Sequence, residues 1–105
     1  MLTIAGFRKL AMDYPDVAEL PHFHLASFRI NKKIFATLHE KDNRAMIRLS
    51  LVDQSVFCTY DHTIFYPVPG AWGKKGATFV DLKKVGKRIC KDALQCAYHL
   101  AASKK

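Results

Sequence analysis

The chain has 105 residues, of which 50% are hydrophobic and 25% charged, and it carries a formal net charge of +8. This composition excludes an intrinsically disordered chain, and the length predicts a single domain over residues 1–105. No apolar run approaches the ~18 residues of a membrane-spanning helix, and Arg8 and Lys9 within the first apolar stretch argue against a secretory signal peptide. Three cysteines without metal or redox spacing are typical of reduced thiols, so we expect a cytoplasmic protein.

The sequence predicts a helix as the first element of the chain, followed by a segment with a weaker strand pattern. Residues 4–11 carry apolar side chains at helical spacing behind a Thr3 N-cap. Tyr14 should end this helix, because it precedes a proline and is therefore pushed out of the α region. The segment that follows is ambiguous, and a short strand is possible near residues 17–20.

Three runs with alternating apolar and polar side chains come next, at residues 26–30, 34–38 and 45–49. Alternation with a period of two is typical of strands with one buried face. Short polar segments at 31–33 and 40–43 connect the runs. The sequence therefore predicts three strands in an antiparallel meander.

The second half of the chain predicts two helices and one strand. Ser50, with Asp53 three residues later, resembles a capping box in front of a helix with an apolar stripe at Val52, Val56 and Tyr60. Residues 61–76 are rich in proline and glycine and are expected to be mostly loop. A strand at 78–82 and an amphipathic helix over 86–102 follow. We therefore expect an α+β fold in which helices pack on one face of an antiparallel sheet.

The strand alternation predicts which side chains share each face of the sheet. The side under the helices should hold Phe28, Ile30, Ile34, Ala36, Leu38, Ile47 and Leu49. The other side should show Ser27, Arg29, Lys33, Phe35, Thr37, His39, Arg44, Met46 and Arg48, with no acid among them. Such a face is suited to nucleic acid, because cations neutralise phosphates and an exposed Phe35 ring stacks on an unpaired base. The alternative is an ordinary solvated face on which Phe35 is covered by a loop or by Trp72.

The positive charge is concentrated in the last third of the chain, where residues 74–105 hold nine basic and two acidic side chains. Such asymmetry favours a polyanionic partner, which is a nucleic acid, an anionic membrane or an acidic protein. The alternative is that this positive charge serves only the solubility of the protein.

Four stretches of the sequence carry a resemblance to a known family. They are Phe7–Leu10, Ser27–Ile30 followed by Lys33–Ala36, Leu49-Ser50, and the proline- and glycine-rich segment Phe65–Gly76. In this order they resemble the MmcQ/YjbR-like family of small bacterial proteins. The resemblance implies an α+β fold similar to that of bacterial frataxin (CyaY), with a double-wing DNA-binding motif. The chain departs from the family at Ala77, where a tryptophan is usual.

The sequence holds no constellation that is typical of catalysis. His22 and His24 have a spacing that metal ligands use on strands, but without a third ligand a structural role is more common. Cys58 lies in no nucleophile motif, and the acidic residues near the first helix are too few for iron binding of the frataxin type. We therefore expect no enzyme, no cofactor and no metal.

These observations favour a monomeric DNA-binding protein that contacts the nucleic-acid backbone electrostatically and has no membrane partner. The residues expected to contact nucleic acid are Arg29, Lys32, Lys33, Phe35, Lys41, Arg44, Arg48, Lys74 and Lys75. The hairpin loops around Lys32 and Lys41 would be the two wings. An interaction module that uses the same basic surface on an acidic protein partner is the alternative, and an enzyme or ligand carrier ranks third.

Overall fold

The computed structural model describes residues 2–103, so that Met1, Lys104 and Lys105 of the predicted domain lie outside the described residues. The elements are α1 (Ile4–Met12), β1 (Ala18–His22), β2 (Leu25–Ile30), β3 (Lys33–His39), β4 (Arg44–Arg48), α2 (Leu51–Tyr60), β5 (Phe65–Pro67), α3 (Ala71–Lys74), β6 (Ala77–Asp81) and α4 (Lys87–Ala102). The strands form one antiparallel sheet with the order β1-β2-β3-β4-β6-β5. This arrangement confirms the predicted α+β fold and the meander of β2, β3 and β4.

The helices begin where the sequence places capping side chains. The Thr3 hydroxyl accepts a hydrogen bond from the Gly6 N–H at 2.9 Å, and the Ser50 hydroxyl accepts one from the Asp53 N–H at 3.1 Å. Each cap satisfies an N–H group that has no partner within its helix. Helix α1 ends at Met12, shortly before the Tyr14-Pro15 stop.

The core lies between the sheet and the helices α1, α2 and α4. It brings together Phe7 of α1, Phe57 of α2, Leu94 of α4 and, from the sheet, Phe28 and Ile47. The rings of Phe7 and Phe28 pack edge to face with 6.0 Å between their centroids. We call the opposite side of the sheet, which these helices leave uncovered, the open face.

A β-bulge in β3 overturns part of the predicted alternation. The register passes from Phe28 opposite Ala36 to Arg29 opposite Ile34, which leaves Phe35 as an extra residue on β3. Phe35 is fully buried and packs edge to face against Tyr98 of α4 with 5.6 Å between the ring centroids. The prediction that Phe35 is exposed on the open face is therefore wrong.

The same bulge exchanges the neighbours of Phe35 between faces. Ile34, which was expected under the helices, is only half-buried and lines the open face. Lys33 pairs with the buried Ile30 and is exposed at the end of the sheet instead of on the open face. From Ala36 onwards the pairing with β4 is regular, with Ala36 opposite Ile47 and Leu38 opposite Ala45.

One expectation for the second half of the chain needs correction. The apolar stripe of α2 points to solvent, because Val52, Val56 and Tyr60 are all exposed and Phe57 enters the core in their place. Residues 61–76 are mostly turns and loop, as predicted, and they also contain the short elements β5 and α3. Helix α3 fits tightly, since a Cβ at Gly73 would collide with the backbone carbonyl of Val68.

Candidate functional site

Two adjoining clefts mark the open face and one end of the sheet. The first, which we call the apolar cleft, has a volume of about 440 Å³ and is lined by Leu25, Ile34, Met46 and Phe79, with Trp72 at its wall. The second, the basic cleft, has a volume of about 580 Å³ and is lined by Arg29, Lys32, Lys33 and Arg48 together with the C-terminal turns of α4. Ile34 and Arg48 line both clefts, so the two form one continuous surface.

The floor of the apolar cleft is built by cross-strand pairs. Ser27 lies opposite Thr37, Thr37 opposite Met46, and Met46 opposite Phe79, so that these side chains form a row across four strands. Tyr66 continues the row, with 5.7 Å between its ring centroid and that of Phe79. The centre of the open face is thus more apolar than the alternation in β2, β3 and β4 predicted.

Trp72 stands at the wall of the apolar cleft with 67% of its surface exposed. Its helix, α3, is held in place because the Gln54 amide donates hydrogen bonds to the carbonyl oxygens of Gly73, at 2.9 Å, and Ala77, at 3.2 Å. Trp72 does not cover Phe35, which was part of the alternative for the open face, because Phe35 is buried on the helix side against Tyr98. Sequence reasoning missed Trp72 as a site residue.

His39 supplies a polar group at the edge of the apolar cleft. Its Nε2 lies 3.0 Å from the Thr37 hydroxyl, and its ring packs edge to face on Phe79 with 5.5 Å between centroids. Burial lowers the pKa of His39, and the positive charge of Arg44 lowers it further. The imidazole is therefore neutral at neutral pH and has one donating and one accepting nitrogen.

The lowered pKa of His39 gives a prediction for stability against pH. Below about pH 6.5 the unfolded chain binds a proton at this position more readily than the folded protein. We therefore expect the free energy of unfolding to fall as the pH drops from about 7.5 through 6.5 towards the folded pKa. Urea denaturation at several pH values should show a smaller decrease for His39→Gln, and equal decreases for the two proteins would refute this role.

The basic cleft gathers cations that are not neutralised by neighbouring side chains. Arg29 is held in position, because its Nε donates to the Ser27 hydroxyl at 3.0 Å and its Nη2 donates to the Pro21 carbonyl at 3.3 Å. Within residues 2–103, no ion pair involves Arg29, Lys32, Lys33 or Arg48. Among the residues that the structure describes, none that lines the basic cleft is acidic.

Lys74 and Lys75 lie at the same end of the sheet as the basic cleft. Both are exposed, and the strand that follows them starts at Ala77, which pairs with Arg48 at the end of β4. The Gly76 carbonyl accepts a hydrogen bond from the Leu49 N–H at 3.0 Å, which fixes this loop against β4. We call this end of the sheet the basic end, with the members Arg29, Lys32, Lys33, Arg48, Lys74 and Lys75.

Lys41 and Arg44 are not part of the basic end. They lie where β3 turns into β4, and the seven residues of β3 separate this turn from the Lys32 turn by about 20 Å. The Arg44 guanidinium is also engaged within the fold, since its Cζ lies 3.8 Å from the centroid of the Phe79 ring and its Nη1 donates to the Tyr66 hydroxyl at 3.4 Å. The two predicted wings therefore do not share one surface.

Two carboxylates, Glu19 and Glu40, are held by Arg8 on the helix side of the sheet. Arg8 of α1 donates from Nε to Glu19 and from Nη2 to Glu40, each at 3.1 Å. Glu19 shares its face with the buried Phe28, opposite which it is paired. Both carboxylates are thus paired with Arg8 and are not among the residues that line the basic cleft.

Within the described range 2–103, no group of three or more His, Cys, Asp or Glu side chains is arranged to hold a metal ion. His22 and His24 line different clefts and do not form a shared site. Burial raises the pKa of the Cys90 thiol to about 12. No helix in the same range is long and apolar enough to cross a bilayer.

Fold and surface together define a small α+β protein whose antiparallel sheet keeps one face open beside a cationic end. The crystal structure of the Deinococcus radiodurans protein DR2400, described by the domain family DUF419, has a similar fold with a TM-score of 0.85. The match covers 99% of this chain and 81% of that one, at 17% sequence identity. No protein-family model matches the chain, and no curated protein matches it in sequence.

Proposed function

We propose that this chain is a non-enzymatic nucleic-acid-binding protein that holds backbone phosphates at the basic end. The observation that carries the proposal is the convergence of six cations from separate segments of the chain, four of them lining one acid-free cleft. Lys and Arg side chains bind phosphates and release the counterions condensed on the strand, which supplies affinity without reading sequence.

DNA is the proposed ligand, a choice that depends on the resemblance to the MmcQ/YjbR-like family. Membership of that family is part of the proposal, and so is the use of one hairpin loop, around Lys32, as a contact to the backbone. The turn that holds Lys41 is left out, because it lies at the opposite end of the sheet.

An aromatic side chain beside the cations favours a nucleic acid over an acidic protein. Trp72 is exposed at the wall of the cleft that adjoins the basic cleft, and aromatic rings next to a basic groove are typical of proteins that bind nucleic acids with accessible bases. Binding of carboxylates needs the cations alone and gives no reason for an exposed ring beside them. An acidic protein remains the alternative partner for the same surface.

A titration of fluorescently labelled DNA, followed by anisotropy at about 0.1 M salt, tests the proposal. Duplexes of unrelated sequence should bind with similar affinity, because phosphate contacts carry no base information. Unlabelled poly-glutamate of matched charge should compete weakly. Competition as effective as that of unlabelled DNA would favour the acidic-protein alternative.

Two pairs of adjacent lysines provide a matched test of the location. Lys32→Ala with Lys33→Ala should weaken DNA binding on the order of tenfold for each lost contact at about 0.1 M salt. Lys83→Ala with Lys84→Ala removes the same charge from exposed positions after β6, at the other end of the sheet, and should have little effect. Equal losses for the two double variants would contradict binding at the basic end.

A further inference from the structure

The apolar cleft has the size and lining of a ligand site. Its volume of about 440 Å³ lies within the range of small-molecule pockets in proteins. Leu25, Ile34, Met46 and Phe79 give it an apolar floor, and Ala77 adds only a methyl group at one side. A planar ring of moderate size would remove this floor from water.

Trp72 completes the cleft as a stacking surface. Two-thirds of its surface is exposed, which is a cost for a large aromatic side chain unless a partner covers it. The helix that carries it is anchored through Gln54, so the indole is presented on a fixed support. A flat aromatic ring seated on the floor would lie beside this indole.

Polar groups at the rim can recognise the edge of such a ring. His39 Nε2 is hydrogen-bonded at 3.0 Å to the hydroxyl of Thr37, a floor residue that is only 4% exposed, so this bond orients the half-buried imidazole at the edge of the cleft. The second ring nitrogen, Nδ1, is then the group that remains for the edge of a heterocycle, as a donor or an acceptor according to the tautomer. A nucleobase edge carries groups of both kinds.

Because the two clefts are continuous, one ligand can place an aromatic ring in the apolar cleft and a phosphate in the basic cleft. Arg48 and Ile34 line both, so a ligand with its ring in the apolar cleft places a neighbouring anionic group among Arg29, Lys33 and Arg48. We propose that the apolar cleft receives one unpaired nucleobase, whose phosphate the basic cleft holds. This inference depends on the proposed function, and it makes single-stranded DNA the better ligand.

Trp72 is the one tryptophan in the sequence, so its fluorescence reports directly on the site. An oligo-thymidine strand should quench it on binding, whereas an abasic strand of the same length should leave the fluorescence unchanged and bind less tightly. Thymidine monophosphate, as the free form of the same ligand, should quench it at higher concentrations. A fully paired duplex should bind without quenching, because its bases are not free to stack.

Substitution of Trp72 separates stacking from charge. Trp72→Ala should weaken binding of the labelled oligo-thymidine strand about tenfold or more, and Trp72→Phe should recover most of the loss. Tyr60→Ala, in α2 and outside both clefts, removes a ring that is 62% exposed and should leave the binding unchanged. A larger side chain at Ala77, as in Ala77→Leu, should fill part of the apolar cleft. It should therefore weaken binding of the oligo-thymidine strand and leave binding of the duplex unchanged.

Failure of this inference is distinguishable from failure of the proposed function. Equal binding of oligo-thymidine and abasic strands, with no effect of Trp72→Ala but a loss with the Lys32 and Lys33 substitutions, would overturn the base site and leave phosphate binding intact. Quenching by thymidine monophosphate with no binding of any strand would keep the site and overturn the proposed function. No binding of any of these probes would overturn both.

Discussion

A fourfold rise in salt concentration is expected to weaken duplex DNA binding roughly 150-fold. The four cations that line the basic cleft are the basis of this number. If each contacts one phosphate, the logarithm of the affinity falls against the logarithm of the salt concentration with a slope of about −3.6. Anisotropy titrations at four or more salt concentrations between about 50 and 200 mM measure the slope directly.

The double variant of Lys32 and Lys33 should reduce this slope to about −1.8, so that the same rise in salt weakens binding only about twelvefold. The variant of Lys83 and Lys84 should keep the slope of the unaltered protein. A flat slope for the unaltered protein would exclude phosphate binding as the source of affinity. Equal slopes for both variants would show that net charge matters and position does not.

Local sequence patterns were sufficient for most of the fold. Thr3 and Ser50 cap their helices as the sequence indicates, because a cap depends only on groups within one turn. The alternation in β4 also holds, since it depends on which face is buried and needs no knowledge of the partner strand, whereas in β2 the polar Ser27 is fully buried.

Local sequence patterns could not predict the bulge at Phe35, and the reason is physical. Ile34, Phe35 and Ala36 are three apolar residues in succession, and alternation alone allows either Phe35 or its two neighbours to face the core. The choice is made by Tyr98, which is 63 positions later and packs on the Phe35 ring. A contact so distant in sequence leaves no local signal at the strand.

The candidate site was predicted in part. Arg29, Lys32, Lys33 and Arg48 come together at one cleft, although Lys33 reaches it from the end of the sheet and not from the open face. The separation of Lys41 follows from topology, because successive turns of a meander lie at opposite ends of the strands. The role of Trp72 depends on the anchoring of α3 by Gln54, which joins segments 19 residues apart.

Phe35 is the residue for which the sequence and the structure predict opposite outcomes. As an exposed ring on the open face, it would contribute to binding of single strands and little to stability. As a fully buried ring against Tyr98, it stabilises the fold. We expect Phe35→Ala to lower the free energy of unfolding by about 3–5 kcal/mol, because truncation leaves a cavity in the core. Urea denaturation followed by circular dichroism measures this loss.

A second phenylalanine provides the control for this prediction. Phe23 is 89% exposed in the turn between β1 and β2, so Phe23→Ala should change the free energy of unfolding by no more than about 0.5 kcal/mol. Native domains are stable by only about 5–15 kcal/mol, so the Phe35 variant should show a clearly lower denaturation midpoint while the Phe23 variant does not.

Where Phe35→Ala remains folded, its affinity for single-stranded DNA should equal that of the unaltered protein, because the ring that stacks is Trp72. Similar stability of the two variants, together with weaker binding by Phe35→Ala, would place the Phe35 ring on the open face after all.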